Sequence, residues 1–490
     1  MKKKDKTQNS KKMSFLKHLS KIVSFYDMKR REKLNIPKTP ERELVKEFYR
    51  LSKINWGVDD GFYPLGSCTM KYNPRINERI ASMDQFKFLH PAFPELAQGA
   101  LEIMYELENM LCKITGMDAV SLHPCAGAHG ELLAIKISKK YFFEEKREYE
   151  RRYVLIPDSA HGTNPASAAM CNLYVREVKS DPRGNIDIQD LKKKLGKDVA
   201  VLMMTYPSTL GLADENIEEI VNLVHQNGSL LYLDGANLNA IAGIVRPGDI
   251  GFDFVHLNLH KTFSTPHGGG GPAAGPLGVK KHLEKFLPYP RIKKEDENGK
   301  SNYKLDYSNK EMSVGKIESF LGNFPVLLRA WAYIKMLGEE GMRKNSQIAV
   351  LNANYLMKKL SEKYYLPYPR KCKHEFVLSE KGLGVKTEDL AKALQDEGFH
   401  PPTIYFPLIV KGAIMIEPTE TETKKTLDEF AEAMLKLFDL SHTNPEYFEK
   451  APQKQAVKRV DMVKANTKLI PSERWKQAEQ KAEQKDEVKE

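Results

Sequence analysis

Residues 256–275, HLNLHKTFSTPHGGGGPAAG, contain the features that decide the fold. The apolar run Phe252–Leu257 predicts a buried strand, after which the chain passes through Lys261 into the glycine run Gly268–Gly271. A polar turn directly after a short buried strand is typical of α/β proteins, in which ligands bind beyond the carboxyl ends of parallel strands. A lysine at such a position can be kept neutral by desolvation and by cationic neighbours, and it can then attack an aldehyde to form an imine.

Three further short apolar runs precede this segment, and turn residues bound each of them. Helical stretches separate the runs, which implies crossover connections and a mostly parallel sheet. The sequence therefore predicts an α/β fold, with a large domain built on a mostly parallel sheet and a smaller α+β C-terminal domain. The three runs are Tyr153–Pro157, Val199–Thr205 and Ser229–Leu233.

The residues near the other strand ends supply complementary chemistry. Asp234 follows the third run, and a carboxylate at the end of a buried strand needs a partner, for which a cationic ring nitrogen is suited. Ala126, Gly127 and Ala128 form a small-residue turn before a predicted helix, where backbone N–H groups can face a phosphate. Together with Lys261, these groups predict a pyridoxal phosphate site.

Two further strand ends give less specific indications. His161 follows the first run and is interpreted either as a structural hydrogen-bonding group or as a functional one. Thr205 ends the second run and is included among the cofactor-binding candidates, whereas Tyr206 is interpreted as part of a proline turn.

A metal site is the alternative interpretation of the histidines in the deciding segment. His256, His260 and His267 are the candidate ligands. The spacing of the first two does not converge on a strand, and the HExxH pattern of zinc enzymes is absent from the segment.

Composition and charge exclude several classes of protein. The 490 residues are 41% hydrophobic and 29% charged, which suits a globular protein of roughly two to four domains. No apolar run is long enough to span a membrane. Residues 1–33 carry a net charge of +9 of the total of +11, so the basic character belongs to a predicted disordered tail, and nucleic-acid binding is not expected. Five cysteines without a CxxC pair, and no apolar leader, predict a cytoplasmic protein.

Changes in composition along the chain predict five segments. The arm is rich in Gly, Pro, Asn and aromatic residues, whereas both ends of the chain are strongly charged. The segments are a basic disordered tail (1–35), an N-terminal helix and arm (36–95), a cofactor-binding large domain (96–335), a small C-terminal domain (336–450) and a charged C-terminal extension (451–490).

Five long motifs together resemble one enzyme family. They are YPLGSCTMKYNP (63–74), HPCAGAHGE (123–131), DSAHGTNPAS (158–167), DGANLNA (234–240) and NLHKTFSTPHGGGGP (258–272). The family is the glycine cleavage system P-protein, glycine dehydrogenase (decarboxylating), a fold-type I pyridoxal phosphate enzyme with an aspartate aminotransferase-like fold. The resemblance covers about residues 40–450, and the length of the chain is the one expected for the subunit 2 form, in which the enzyme is split into two chains.

The resemblance implies a role for each matching residue. Lys261 matches the lysine that forms an imine with the cofactor, Asp234 the acid that pairs with the pyridine nitrogen, and His161 the imidazole stacked on the ring. These three are the expected catalytic residues. Ser67 and Cys68 match an arm segment that approaches the site. The phosphate loop is matched by Ala126, Gly127 and Ala128, with Thr262 or His260 assisting.

The resemblance also implies an activity and partners. Family members decarboxylate glycine and transfer the aminomethyl group to the lipoyl arm of the H-protein, as heterotetramers of two subunit 1 and two subunit 2 chains. The alternatives are another fold-type I enzyme, such as an amino acid decarboxylase or a desulfurase using Cys125 or Cys68, and a non-catalytic partner subunit. The sequence departs from the family pattern at Tyr206, and it leaves open which residue binds the glycine carboxylate, for which Arg329 is one candidate.

Overall fold

The computed structural model describes residues 38–268, 273–297 and 299–469. The predicted basic tail (1–35), most of the glycine run and the end of the predicted C-terminal extension therefore lie outside the described residues. The chain divides into two compact units that separate between Asn55 and Trp56. In the described part of the first unit, residues 41–52 form helix α1. No described helix combines the length and the apolar composition that a membrane span requires.

The second unit alternates helices and strands over much of its length. Its α-helices are α2 (Arg75–Ala81), α3 (Asp84–Lys87), α4 (Gln98–Thr115), α5 (Gly127–Lys140), α6 (Thr163–Met170), α7 (Ile188–Lys194), α8 (Ile217–Gln226), α9 (Pro247–Ile250), α10 (Leu259–Thr262), α11 (Phe324–Leu360), α12 (Thr387–Asp396), α13 (Lys424–Thr443), α14 (Glu446–Lys450) and α15 (Met462–Thr467). Its strands are β1 (Ala119–Ser121), β2 (Tyr153–Pro157), β3 (Tyr174–Val178), β4 (Val199–Thr205), β5 (Leu230–Gly235), β6 (Phe254–Leu257), β7 (Leu277–Val279), β8 (Arg291–Glu297), β9 (Lys300–Asp306), β10 (Phe376–Ser379), β11 (Thr403–Ile404) and β12 (Ala413–Ile416).

The large sheet has seven strands in the order β1-β7-β6-β5-β4-β2-β3. Strands β3, β2, β4, β5 and β6 pair in parallel, and β7 is antiparallel to both β6 and β1. The predicted α/β fold with a mostly parallel sheet is therefore confirmed. Strands β2 and β4 have the predicted bounds, whereas β5 and β6 begin at Leu230 and Phe254, slightly later than predicted.

Helices cover both faces of this sheet. Along β4, Leu202 and Met204 pack into one hydrophobic core, and Val201 and Met203 pack into the other. This alternation follows from the two-residue repeat of a strand. Parallel sheets need such cover on both faces, so the carboxyl edge of the sheet is where a ligand can enter.

A three-stranded antiparallel sheet, in the order β10-β12-β11, lies in the C-terminal part of the second unit. Helices α12 and α13 contribute to its hydrophobic core, which confirms the predicted α+β character of this region. Helix α11 precedes it and is interrupted at Gly338, whose φ is 62°. The predicted domain boundaries at residues 95, 335 and 450 stay predictions.

Candidate active site

A cavity of about 160 Å³ lies where strands β4, β5 and β6 end. Seven of the nine predicted site residues line it, whereas Ala126 and Thr262 are not among its lining residues. The predicted residues that line it are Gly127, Ala128, His161, Thr205, Asp234, His260 and Lys261. The predicted arm contributes Ser67, and His256, considered above as a metal ligand, also lines the cavity. The residues that the sequence analysis did not single out are Glu131, Thr163, Thr209, Ala236, Asn237 and Asn258.

The pairing of two neighbouring strands brings Lys261 and Asp234 together. Asp234 lies in β5 and pairs with His256 of β6. Helix α10 begins two residues after β6, and Lys261 is its third residue. Asp234 and Lys261 therefore lie at the same edge of the sheet, one in β5 and the other just beyond the end of the neighbouring β6.

The carboxylate of Asp234 is buried and is held by three partners. Asn164 Nδ2 donates to Oδ2 at 3.1 Å, the backbone N–H of Ala236 donates to Oδ1 at 3.0 Å, and His256 Nε2 lies 3.4 Å from Oδ1. Burial by itself raises the pKa of Asp234, but these partners outweigh burial and hold that pKa below its usual value. His256 also contacts the Tyr232 hydroxyl through Nδ1 at 2.5 Å. Asp234 is thus an ionised group suited to pair with a cation.

His161 forms a tight turn with Thr163, the first residue of α6. The backbone N–H of Thr163 donates to His161 Nδ1 at 3.2 Å, and Thr163 Oγ1 lies 2.9 Å from the same nitrogen. Desolvation lowers the pKa of His161, and the charge of Lys261 adds to this against the opposing effect of Asp234. The imidazole is therefore uncharged at neutral pH.

Small residues and unpartnered polar atoms shape another part of the cavity wall. A Cβ on Gly127 would lie 2.2 Å from Asn258 Oδ1, so only glycine permits this close approach of α5 to the turn after β6. The side chain of Ala126 caps no N–H of α5, and the first N–H groups of a helix have no partner within the helix. Within the described chain, Thr205 Oγ1 and His260 Nδ1 are buried without a hydrogen-bond partner. The free N–H groups at the start of α5 suit a phosphate, and Thr205 Oγ1 and His260 Nδ1 are polar atoms of the same cavity left for a ligand.

Two buried carboxylates hold the N-terminal arm beside the cavity. Glu375 precedes β10, and its Oε2 accepts the backbone N–H of Ser67 at 2.7 Å. Glu417 follows β12 and accepts the backbone N–H and the hydroxyl of Thr69, at 2.8 and 2.6 Å. Ser67 and Thr69 have φ angles of 63° and 49°, in the left-handed region that non-glycine residues rarely adopt. The carboxylates therefore fix an unusual backbone that contributes Ser67 to the cavity wall.

The sequence contains a signal for these two carboxylates that the sequence analysis missed. Each flanks a short apolar strand, in HEFVLS (374–379) and AIMIEPTE (413–420). A charged residue beside a buried strand needs a partner, which is the argument that singled out Asp234. Burial raises the pKa of Glu417 to about 7 and that of Glu375 well above its usual value.

Besides Ala126 and Thr262, four other residues considered from the sequence do not line the cavity, namely Arg329, Cys68, Cys125 and Tyr206. Arg329 donates through Nε and Nη2 to Glu78, at 2.7 and 2.8 Å, so its guanidinium already has a carboxylate partner. Burial raises the pKa of Cys68 and of Cys125 to about 11, so both are thiols at neutral pH. Tyr206 packs against the hydrophobic core.

The three histidines of the alternative metal site do not form a ligand cluster. Among the described residues, His256, His260 and His267 do not bring three ligand atoms within 4.8 Å of one another. The rings of His260 and His267 are 5.2 Å apart and nearly perpendicular.

Comparisons with known proteins identify the relatives of this chain. A family model described as the C-terminal domain of glycine dehydrogenase matches residues 345–453. A probable glycine dehydrogenase (decarboxylating) subunit 2 from Caldanaerobacter subterraneus subsp. tengcongensis is 56% identical over 443 residues, which cover 90% of each chain. A protein of the same name from Desulforamulus reducens is 54% identical over 449 residues, covering 91% of this chain and 92% of that protein.

A solved structure extends the comparison to the fold. A glycine decarboxylase (P-protein) of the glycine cleavage system superimposes with a TM-score of 0.72, covering 86% of this chain and 95% of that chain at 21% identity. The fold is thus that of the fold-type I pyridoxal phosphate enzymes. With more than half of the residues identical to curated relatives over nine-tenths of its length, the chain belongs to the glycine dehydrogenase (decarboxylating) subunit 2 family.

Proposed function

We propose that this chain is the cofactor-binding subunit of a glycine decarboxylase that acts with pyridoxal phosphate and transfers the aminomethyl group to a lipoylated H-protein. The observation that carries the proposal is that Lys261 and Asp234 line one cavity at the ends of adjacent strands. The family membership supports glycine as the substrate, and the name "subunit 2" of the relatives supports a partner subunit 1.

The residues of the cavity fit the proposed cofactor. Lys261 Nζ is the amine for its aldehyde, and Asp234 is the carboxylate for its ring nitrogen. The start of α5 at Gly127 and the unpartnered Thr205 hydroxyl offer donors for its phosphate. When bound, pyridoxal phosphate supplies an aldehyde for an amine and a ring that accepts the electron pair of a breaking bond.

Each of the three expected catalytic residues has a defined task in this proposal. Asp234 stays ionised because its pKa is lowered, so it can hold a proton on a ring nitrogen placed against it. His161 is uncharged and offers a flat ring without competing for that proton. Lys261 Nζ would hold the cofactor through its aldehyde, and as a free amine in the cavity wall it would carry a proton.

The arm contributes part of the wall of the same cavity. Glu375 and Glu417 fix the backbone on either side of Cys68, and this places Ser67 in the cavity wall.

The wider assembly belongs to the same proposal. We infer a heterotetramer of two subunit 1 and two subunit 2 chains that acts on glycine and the lipoyl arm of the H-protein in the cytoplasm. Support for this assembly is the family resemblance alone, and its test is mass measurement of the co-expressed subunits.

The decisive experiment is borohydride fixation of pyridoxal phosphate to the purified chain, followed by peptide mapping. We expect the tag on Lys261, no tag in a Lys261→Ala variant, and normal tagging in Lys281→Ala, which alters an exposed lysine paired with Glu284. Glycine decarboxylation is then measured with subunit 1 and lipoylated H-protein present. Tagging at another lysine, or full decarboxylation by Lys261→Ala, would refute the proposal.

A further inference from the structure

Three side chains form a hydrogen-bonded row in the wall of the cavity. Glu131 lies in α5, Thr163 begins α6, and His161 lies in the turn before it. Thr163 Oγ1 is 2.9 Å from Glu131 Oε1 and 2.9 Å from His161 Nδ1. The backbone N–H of Thr163 also points at Nδ1, at 3.2 Å. Each of these side chains lines the cavity.

The hydrogens available for the contacts of this row indicate the charge state of Glu131. The backbone N–H of Thr163 is a donor only, so His161 Nδ1 is an acceptor and carries no hydrogen. The hydroxyl of Thr163 has one hydrogen to share between two neighbours. If Glu131 were ionised, one of the two contacts would bring lone pairs together. If Glu131 is protonated, it donates to Thr163 and Thr163 donates to His161, so that every contact has one donor and one acceptor, with the single lone pair of Nδ1 shared by the hydroxyl and the backbone N–H of Thr163.

The burial and the charges around Glu131 favour the same state. Glu131 is only 4% exposed, and its Oε2 has no hydrogen-bond partner among the described residues. An oxygen of Glu131 lies within 4.8 Å of one of Asp234, so two ionised carboxylates would repel each other. Burial and Asp234 raise the pKa of Glu131 to about 8, against the opposing effects of Thr163 and Lys261.

The two acids share their proton unequally because their partners differ. Asp234 accepts hydrogen bonds from Asn164 and from the backbone of Ala236 and lies beside His256, whereas one oxygen of Glu131 is unpaired. Hydrogen bonds to a carboxylate stabilise its charged form. The negative charge therefore stays on Asp234, and the proton stays on Glu131.

We propose that Glu131 is a positioning residue that stays uncharged and, through the Thr163 hydroxyl, orients the neutral ring of His161, whose tautomer the backbone N–H of Thr163 sets. An uncharged Glu131 also leaves Asp234 as the one ionised acid of this pair, to face the ring nitrogen. The second consequence rests on the proposed pyridoxal phosphate function, whereas the protonation state of Glu131 is independent of it.

The first measurement uses the protein without cofactor. Infrared difference spectra between wild type and Glu131→Gln should contain a protonated-carboxyl band at neutral pH that disappears as the pH rises through about 8. Thr163→Val should keep the band. Absence of this band from the difference spectrum at neutral pH would overturn the proposal even if pyridoxal phosphate did not bind at all, because protonated carboxyls that both proteins share, such as that of Glu375, cancel in the difference.

The second measurement is the affinity for pyridoxal phosphate as a function of pH. Glutamine is neutral and can donate to Thr163, so Glu131→Gln should bind within about threefold of wild type, whereas Glu131→Ala should bind about tenfold more weakly. Wild-type affinity should fall above pH 8, where Glu131 ionises, and Glu131→Gln should not show this fall. The matched control is Glu422→Gln, another acid whose pKa burial raises, to about 7, but which is not among the cavity-lining residues.

The role in positioning His161 is tested through Thr163. Thr163→Val should weaken pyridoxal phosphate binding, and Thr163→Ser should restore it because serine keeps the hydroxyl. Equal affinities of Glu131→Gln and Glu131→Ala, or identical pH profiles of wild type and Glu131→Gln, would contradict the proposed role. A failure of the wild type to bind pyridoxal phosphate would refute the proposed function and with it this role, while the infrared band would still decide the charge of Glu131.

Discussion

The buried ammonium group of Lys71 joins the N-terminal arm to the helix that carries Lys261, and replacing it tests how the site is held in place. Lys71 is 3% exposed. Burial by itself lowers its pKa, but Glu420 and Tyr333 outweigh burial and raise that pKa above its usual value, so the group is charged. Its acceptors are Glu420 Oε1 at 2.7 Å, the backbone carbonyl of Thr262 at 2.8 Å, Asn239 Oδ1 at 2.9 Å and Tyr333 Oη at 3.3 Å.

Lys71→Met changes this network with little change of volume. Methionine fills most of the space of the lysine stem, so the cost arises from Glu420, whose side chain is 4% exposed and which would be left without its cation. Removing one partner of a buried ion pair costs about 3–5 kcal/mol. A Lys71→Met/Glu420→Gln double variant leaves no buried unpaired charge, so its loss should be smaller than the sum of the single losses by at least about 1 kcal/mol.

The free energy of unfolding is measured by guanidinium denaturation of the full chain, with circular dichroism as the probe. The control is Lys281→Met, which removes an exposed lysine and should leave the stability nearly unchanged. The rate of borohydride fixation of pyridoxal phosphate to Lys261 is measured in parallel, since Thr262 follows that lysine. A Lys71→Met variant as stable as the control, or single losses that simply add, would refute the interpretation of Lys71 as a buried charge that fixes the arm.

Two further predictions concern the glycine at the start of α5 and a histidine on α8. Gly127→Ala should weaken pyridoxal phosphate binding by about tenfold or more, because the new Cβ would meet Asn258 Oδ1 at 2.2 Å. The control is Gly99→Ala, whose Cβ would have no atom within 4 Å and which should bind normally. Equal affinities of the two variants would contradict the close-approach argument. The hydrogen bond to Asp253 raises the pKa of His225, so its stabilising effect is complete below the unfolded value of about 6.5 and is lost as the pH rises through the folded value. The difference in melting temperature between wild type and His225→Asn should therefore shrink from pH 6 to pH 8, and a constant difference would contradict it.

The residues that the sequence analysis placed correctly are those whose position follows from strand ends. A parallel sheet presents all its carboxyl ends at one edge, so short apolar runs followed by polar residues are sufficient to bring Asp234 and Lys261 to a common cavity. The bounds of β2 and β4 were predicted because turn residues end both runs. A helix after the small-residue turn was also predicted, but it begins at Gly127, so Gly127 and Ala128 lie in its first turn rather than before it.

Contacts between distant segments could not be predicted from such local patterns. Glu375 and Glu417 are separated from the arm by more than three hundred residues of chain, and only tertiary packing brings them to Ser67 and Thr69. Glu131 lies inside a predicted motif, yet its importance depends on Thr163, a side chain on another helix. Local periodicity predicts which side chains reach a sheet edge, but the groups that approach this edge from outside depend on long-range packing.

The arm illustrates why the small sheet is part of the site. Left-handed conformations at non-glycine residues cost of order 1–2 kcal/mol each, and the cost is largest for a β-branched residue such as Thr69. Hydrogen bonds from backbone N–H groups to the buried side chains of Glu375 and Glu417 offset part of such costs. Because Glu375 and Glu417 flank paired strands of the small sheet, a shift of that sheet would carry Ser67 with it. The shape of the cavity is therefore set by the small sheet as well as by the strand ends that provide its chemistry.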